Sequence, residues 1–161
     1  MIVLIDGHNL IGRMPDIQLS DPDDEAKLLA RLRVYQVRTG HQLEVFFDPG
    51  LSYRSPDRQS LPGLTVYWLA PGQQADSMIT RRMLQHPNSR ELLVVTADRA
   101  LQKVAREQGA QVIDSGQFVR ELQAPPRRRN RRPRRQVVCE PPLSEDETKY
   151  WMAVFRRSSK R

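Results

Sequence analysis

Four aspartates stand where apolar runs stop. Asp6 follows Met1-Ile2-Val3-Leu4-Ile5, Asp48 follows Leu43 to Phe47, and Asp98 follows Val95-Thr96-Ala97. Asp76 opens a helical pattern that comes after a further run, Leu64 to Leu69. If these runs are parallel strands, their carboxyl ends lie at one edge, where open α/β sheets bind ligands. The first turn of a helix that follows a strand faces the same edge. Carboxylates gathered there repel one another unless a cation sits among them. Mg2+ and Mn2+ are hard cations that prefer carboxylate oxygen and water. Mg2+ takes one or two direct carboxylates, so the remaining acids would orient its waters. Such a site suits phosphodiester hydrolysis: the metal lowers the pKa of a water and neutralises charge on the phosphate. Asn9, three residues after Asp6, adds a donor for a carboxylate or a phosphate oxygen. No convincing covalent nucleophile stands out.

The elements that must position these residues follow from the hydrophobic pattern. Ile2 to Ile5, Leu43 to Phe47, Leu64 to Leu69, Glu91 to Val95 and Gln111 to Ile113 read as strands. The continuous apolar runs among them suit strands buried on both faces. Leu28, Leu29, Leu32 and Tyr35 share a helical face over 24 to 39, closed by Gly40. Ala75, Met78, Ile79 and Met83 mark a second helix. Leu101, Val104 and Ala105 mark a third, and Phe118, Val119 and Leu122 a short fourth. Residues 13 to 23 and 51 to 63 read as polar loops. Strands alternating with helices predict an α/β three-layer sandwich with a mostly parallel central sheet. The expected organisation is a domain over 1–124, a Pro- and Arg-rich linker over 125–143, and a C-terminal helix and tail over 144–161. Ser144-Glu145-Asp146-Glu147 matches a capping box, with Trp151, Val154 and Phe155 on one face. That helix could dock on the domain, on a second copy or on another partner.

The net charge of +7 is unevenly placed. Residues 127–161 hold 12 Lys and Arg against 4 Asp and Glu, and the rest of the chain holds 14 against 15. The tail therefore carries the basicity, and it points to a polyanion. Arg127, Arg128, Arg129, Arg131, Arg132, Arg134 and Arg135 fall within nine residues and are the candidate contacts to nucleic-acid phosphates. They should confer affinity without sequence choice. Cys139 is the single cysteine, so no internal disulfide forms. The opening apolar run is too short for a signal peptide and no stretch approaches a membrane span. A cytoplasmic chain is expected.

Structural readings compete at each position. Asp76 and Asp98 are also well placed to cap helices, and Asp48 before Pro49-Gly50 is also turn chemistry. Asp114 with Gln117 three residues later matches a capping box, and that reading is preferred. His8 faces solvent or RNA, Thr96 orients a water or phosphate or completes a strand, and Arg54 and Arg58 contact phosphate or, the preferred reading, belong to a solvated loop.

Asp6-Gly7-His8-Asn9-Leu10-Ile11-Gly12 resembles the opening Asp-Gly-x-Asn motif of the NYN branch of the PIN-like nucleases. Phe47-Asp48, Ala75-Asp76-Ser77-Met78-Ile79 and Val95-Thr96-Ala97-Asp98 match that branch's later acidic motifs in order. The chain is most similar to the YacP-like group, described as ribosome-associated mRNA endonucleases, over about residues 1 to 123. The resemblance implies Asp6, Asp76 and Asp98 as metal-site carboxylates for Mg2+ or Mn2+, with Asn9 and Asp48 in support. It implies single-stranded RNA as substrate. The leading expectation is a metal-dependent endoribonuclease. The alternative is a non-catalytic RNA- or ribosome-binding adaptor that keeps the fold, and cleavage of DNA by the same chemistry is a third.

Overall fold

The computed structural model describes residues 1–49 and 57–124. Arg54, the arginine run and the expected C-terminal helix lie outside the described residues.

Strand β1 (Ile2–Asp6) sits at the centre of a six-stranded sheet. It pairs in parallel with β2 (Gln42–Phe47) on one side and β5 (Leu92–Val95) on the other. Outside β2 lies β4 (Leu64–Trp68), and outside β5 lies β6 (Gln111–Ile113), both parallel. The chain leaves β1 toward β2 and β4, then crosses back to the opposite side for β5. That reversal creates a crevice at the carboxyl ends of β1 and β5, the place where such sheets bind ligands.

Both faces of the sheet are covered, which is why its central strands are apolar throughout. Val3, Ile5, Val45 and Phe47 point into one core with α1 (Gly7–Ile11), α2 (Asp24–Thr39) and α5 (Ser115–Gln123). Leu4, Phe46, Leu92 and Val94 point into the other with α3 (Ala75–Gln85) and α4 (Arg99–Glu107). The result is the expected three-layer α/β sandwich. Helix α2 buries Leu28, Leu32 and Tyr35 and stops at Gly40, whose φ of 73° and N–H donation to the Gln36 carbonyl form a left-handed cap.

The structure departs from the sequence pattern in two places. The expected loop over 51–63 contains strand β3 (Asp57–Leu61), antiparallel to β4 at the sheet edge. Its residues are all exposed, so no inward face imposes an alternation that the pattern could show. Arg58, expected in that loop, instead lies over the Tyr67 ring at 5.4 Å. Helix α1 is likewise unannounced, because five residues are too few for a helical repeat.

Candidate active site

Asp6 ends β1 and caps α1, its Oδ1 accepting from the Asn9 N–H at 3.1 Å. Gly7 follows it for a packing reason. A Cβ on Gly7 would stand 2.3 Å from Cε1 of Phe47, whose ring is fully buried. The absence of a side chain there lets α1 start against the end of β2, and so brings Asp6 toward Asp48.

Asp48 acts across the fold. Its Oδ1 accepts from the Ala75 N–H at 2.7 Å, which ties the end of β2 to the first residue of α3. Gln74, at the capping position of α3, makes no side-chain cap bond, so Asp48 takes over part of that task. Asp76 comes one residue later. Its Oδ1 is buried and has no hydrogen-bond partner among the described residues.

Asp6, Asp48, Pro49 and the run from Gly72 to Asp76 line one cleft of about 440 Å3. Burial pushes the Asp6 carboxyl from its ordinary 3.8 up to about 6, against the Asn9 N–H that lowers it, with Asp76 and Asp48 raising it further. Asp76 is raised too, by burial first and then by the charges of Asp98 and Asp48. Three of the four predicted aspartates thus meet in one cleft, and the fourth is felt through its charge.

Asp98 sits at the start of α4, where its Oδ1 accepts from the N–H groups of Ala100 at 2.6 Å and Leu101 at 3.1 Å. Thr96 is fully buried, and its Oγ1 accepts from the Asp98 N–H at 3.1 Å. Asn9 also has a bracing task, through its side-chain oxygen. Its Oδ1 accepts from the Ala97 N–H at 3.0 Å and from the Ser115 hydroxyl at 2.9 Å. This end of Asn9 braces α1 against the β5–α4 turn and the start of α5, and leaves the amide NH2 for the expected donation. Asp114 caps α5, its carboxylate accepting from the Gly116 N–H at 2.8 Å.

The pattern gave no notice of Glu25 and Trp68. The Trp68 indole N–H donates to Glu25 at 2.6 Å, and the other Glu25 oxygen lies 3.6 Å from Nε2 of His8. That carboxylate raises the His8 pKa, burial opposes it, and the charges of Asp24 and Asp48 add to the rise. His8 is therefore engaged by protein, edge-on to Phe47 at 5.3 Å, rather than simply facing outward. A Glu at the first turn of a helix ordinarily serves the helix dipole, which is why it carried no signal.

The family model described as the YacP-like NYN domain matches residues 3–156. The chain belongs to the YacP-like NYN family. It is 29% identical over 150 residues to the uncharacterized protein YacP of Bacillus subtilis (strain 168), covering 89% of this chain and 87% of that one. The crystal structure of Rae1 (YacP) from Bacillus subtilis superposes with a TM-score of 0.63 at 24% identity, over 98% of this chain and 90% of that chain. A mutant of that protein gives a TM-score of 0.61 at 24% identity, over 76% and 74%. These two structures establish likeness of fold.

NYN domains form a PIN-like nuclease family, typically metal-dependent, and the chemistry of this NYN domain's cleft suits a divalent cation. A buried carboxylate oxygen without a partner and two carboxyls raised by burial and mutual repulsion are what a cation would relieve. Among the described residues, no group of three or more His, Cys, Asp or Glu could hold a metal ion jointly. A cation here would therefore rest on one or two carboxylates, the number Mg2+ ordinarily takes. Among the described residues no helix is long and apolar enough to cross a membrane.

Proposed function

We propose that this NYN domain is a metal-dependent endoribonuclease that hydrolyses single-stranded RNA at the cleft of Asp6, Asp48 and Asp76. The observation that carries this reading is the buried Oδ1 of Asp76, which has no hydrogen-bond partner among the described residues. Burying a carboxylate without a partner is costly, and a polyanion such as RNA would add to the repulsion. A cation bound between the cleft and the phosphate removes both objections. Asp6 and Asp76 would hold Mg2+ or Mn2+, and Asp98 would contribute its charge from the start of α4. When bound, the ion supplies a water of lowered pKa and neutralises charge on the phosphate.

The chain's other residues have supporting tasks. Asp48 fixes the first turn of α3 and so keeps Asp76 in the cleft. Asn9 locks α1 to the turn that carries Asp98. In the proposed organisation, residues 1–124 form the nuclease domain, 125–143 the basic linker and 144–161 the C-terminal helix and tail. The arginines of 127–135 hold phosphates without reading bases. The family resemblance extends the reading to mRNA in the cytoplasm, with the ribosome as a place of action.

The test uses a labelled single-stranded RNA with Mn2+, with Mg2+ and with EDTA, for the wild type and for Asp76→Asn. Internal cuts that need metal are expected. The variant should bind RNA nearly as tightly yet cut roughly 100-fold more slowly. Wild-type cutting rates in the variant would refute the site. The alternative is a non-catalytic RNA- or ribosome-binding adaptor that keeps the fold. That reading predicts tight binding with no cuts in either metal. Faster cutting of single-stranded DNA than of RNA would overturn the substrate class.

A further inference from the structure

A second groove, of about 470 Å3, opens between α3 and α4 and shares Asp76 with the acidic cleft. Ser77, Thr80, Arg81 and Leu84 line it from α3, and Leu101 and Val104 from α4. These positions recur at helical intervals, so each helix turns one stripe toward the other. Leu101 is buried, while Leu84 is 63% exposed, which leaves apolar surface open to water. Arg81 is exposed and makes no ion pair among the described residues, whereas its neighbour Arg82 is engaged by Glu44. The groove thus combines apolar walls, two hydroxyls and a cation with no ion pair among the described residues, and it begins at the proposed reaction centre.

We propose that this groove seats one base of the RNA, on a nucleotide beside the scissile phosphate. The inference rests on the nuclease reading above. A strand with its phosphate in the acidic cleft has its next nucleotide at the mouth of the groove, because both are bounded by Asp76. Leu84 and Val104 offer a base an apolar surface that reads no base edge, so the seat tolerates any base. Arg81 supplies the charge for an adjoining phosphate. Ser77 and Thr80 supply hydroxyls suited to a ribose 2′-OH. A base held in a duplex is stacked and paired and cannot enter, so the groove selects single strands.

The experiment measures kcat/KM in Mn2+ for the full-length wild type, Leu84→Glu and Arg81→Ala. Both residues are exposed, so neither change threatens the fold, and thermal melts check this. The substrates are a short single-stranded RNA and a series with one abasic nucleotide at each position around the cut. Leu84→Glu should lower kcat/KM about tenfold on intact RNA. One abasic position should cost the wild type a similar factor and cost Leu84→Glu nothing further, since the two remove the same contact. Arg81→Ala should reduce the slope of log kcat/KM against log salt by about 0.7. If the wild type cuts but neither variant nor any abasic position matters, the groove does not seat RNA and the nuclease reading stands alone. If Leu84→Glu loses activity but keeps the full abasic penalty, the groove serves another occupant, such as a protein segment, and the inference falls. If the wild type cuts no RNA, both readings fall together.

Discussion

Replacing Asp6 by Asn should stabilise the metal-free protein at neutral pH, although the residue belongs to the proposed metal site. Asp6 is 7% exposed, and burial lifts its pKa from 3.8 to about 6. Each pKa unit is worth about 1.4 kcal/mol, so the ionised side chain costs the folded state roughly 3 kcal/mol. Below pH 3.8 the folded and unfolded chains both hold the proton, and nothing is lost. Between pH 3.8 and about 6 the unfolded chain releases it first, so stability falls as pH rises. Above that window both states are ionised and the folded state bears the full cost. Asn is as good a capping residue as Asp and keeps an acceptor for the Asn9 N–H, but it surrenders the favourable charge at the start of α1. The net expectation in EDTA is a variant more stable by about 2 kcal/mol at pH 7.5, with no advantage at pH 3.5. Urea unfolding at a series of pH values measures this directly. Adding Mn2+ should raise the wild type's stability in proportion to the logarithm of ion concentration above its Kd, and leave the variant behind. A variant no more stable than wild type in EDTA at pH 7.5 would refute the burial argument. Equal stabilisation of both proteins by Mn2+ would remove Asp6 from the cation site.

Gly7→Ala should destabilise the domain by about 1–3 kcal/mol, because a methyl would press on the buried Phe47 ring. It should also slow RNA cutting by shifting Asp6 from Asp48; unchanged urea midpoints would dismiss the close approach. Arg82→Ala leaves the Glu44 carboxylate, 13% exposed, without the guanidinium that donates to both of its oxygens. The pair is partly open to water, so the expected loss is about 1–2 kcal/mol by urea unfolding. Wild-type stability would mean that α3 is held by its apolar stripe alone. Replacing the seven arginines of 127–135 by Ser should lower the salt slope of RNA affinity by up to about 5 and leave the cut positions unchanged. A shifted cut pattern would show that the tail reads sequence.

The aspartates were legible because the strands that carry them are buried on both faces. A run such as Val3-Leu4-Ile5 must stop where the sheet stops, so the first polar residue marks the edge. Helices α2 to α5 were legible for the complementary reason, each burying one stripe. Strand β3 was not, since backbone pairing to β4 holds it while all five of its side chains remain in water. Nor was the bracing role of Asn9, whose partners Ala97 and Ser115 lie 88 and 106 residues away.

Local sequence determined what local physics can specify: which segments bury a face, where they end, and which acids stand at those ends. Hydrophobic periodicity and capping act within a few residues, so they survive in a one-dimensional reading. Tertiary structure alone decided how those ends relate. The order of strands about β1 put Asp6 and Asp48 side by side, and the Asp48 bond to Ala75 carried Asp76 to them. It also decided the state of the acids, because a pKa depends on the water removed and the charges nearby, and both come from residues distant in the chain.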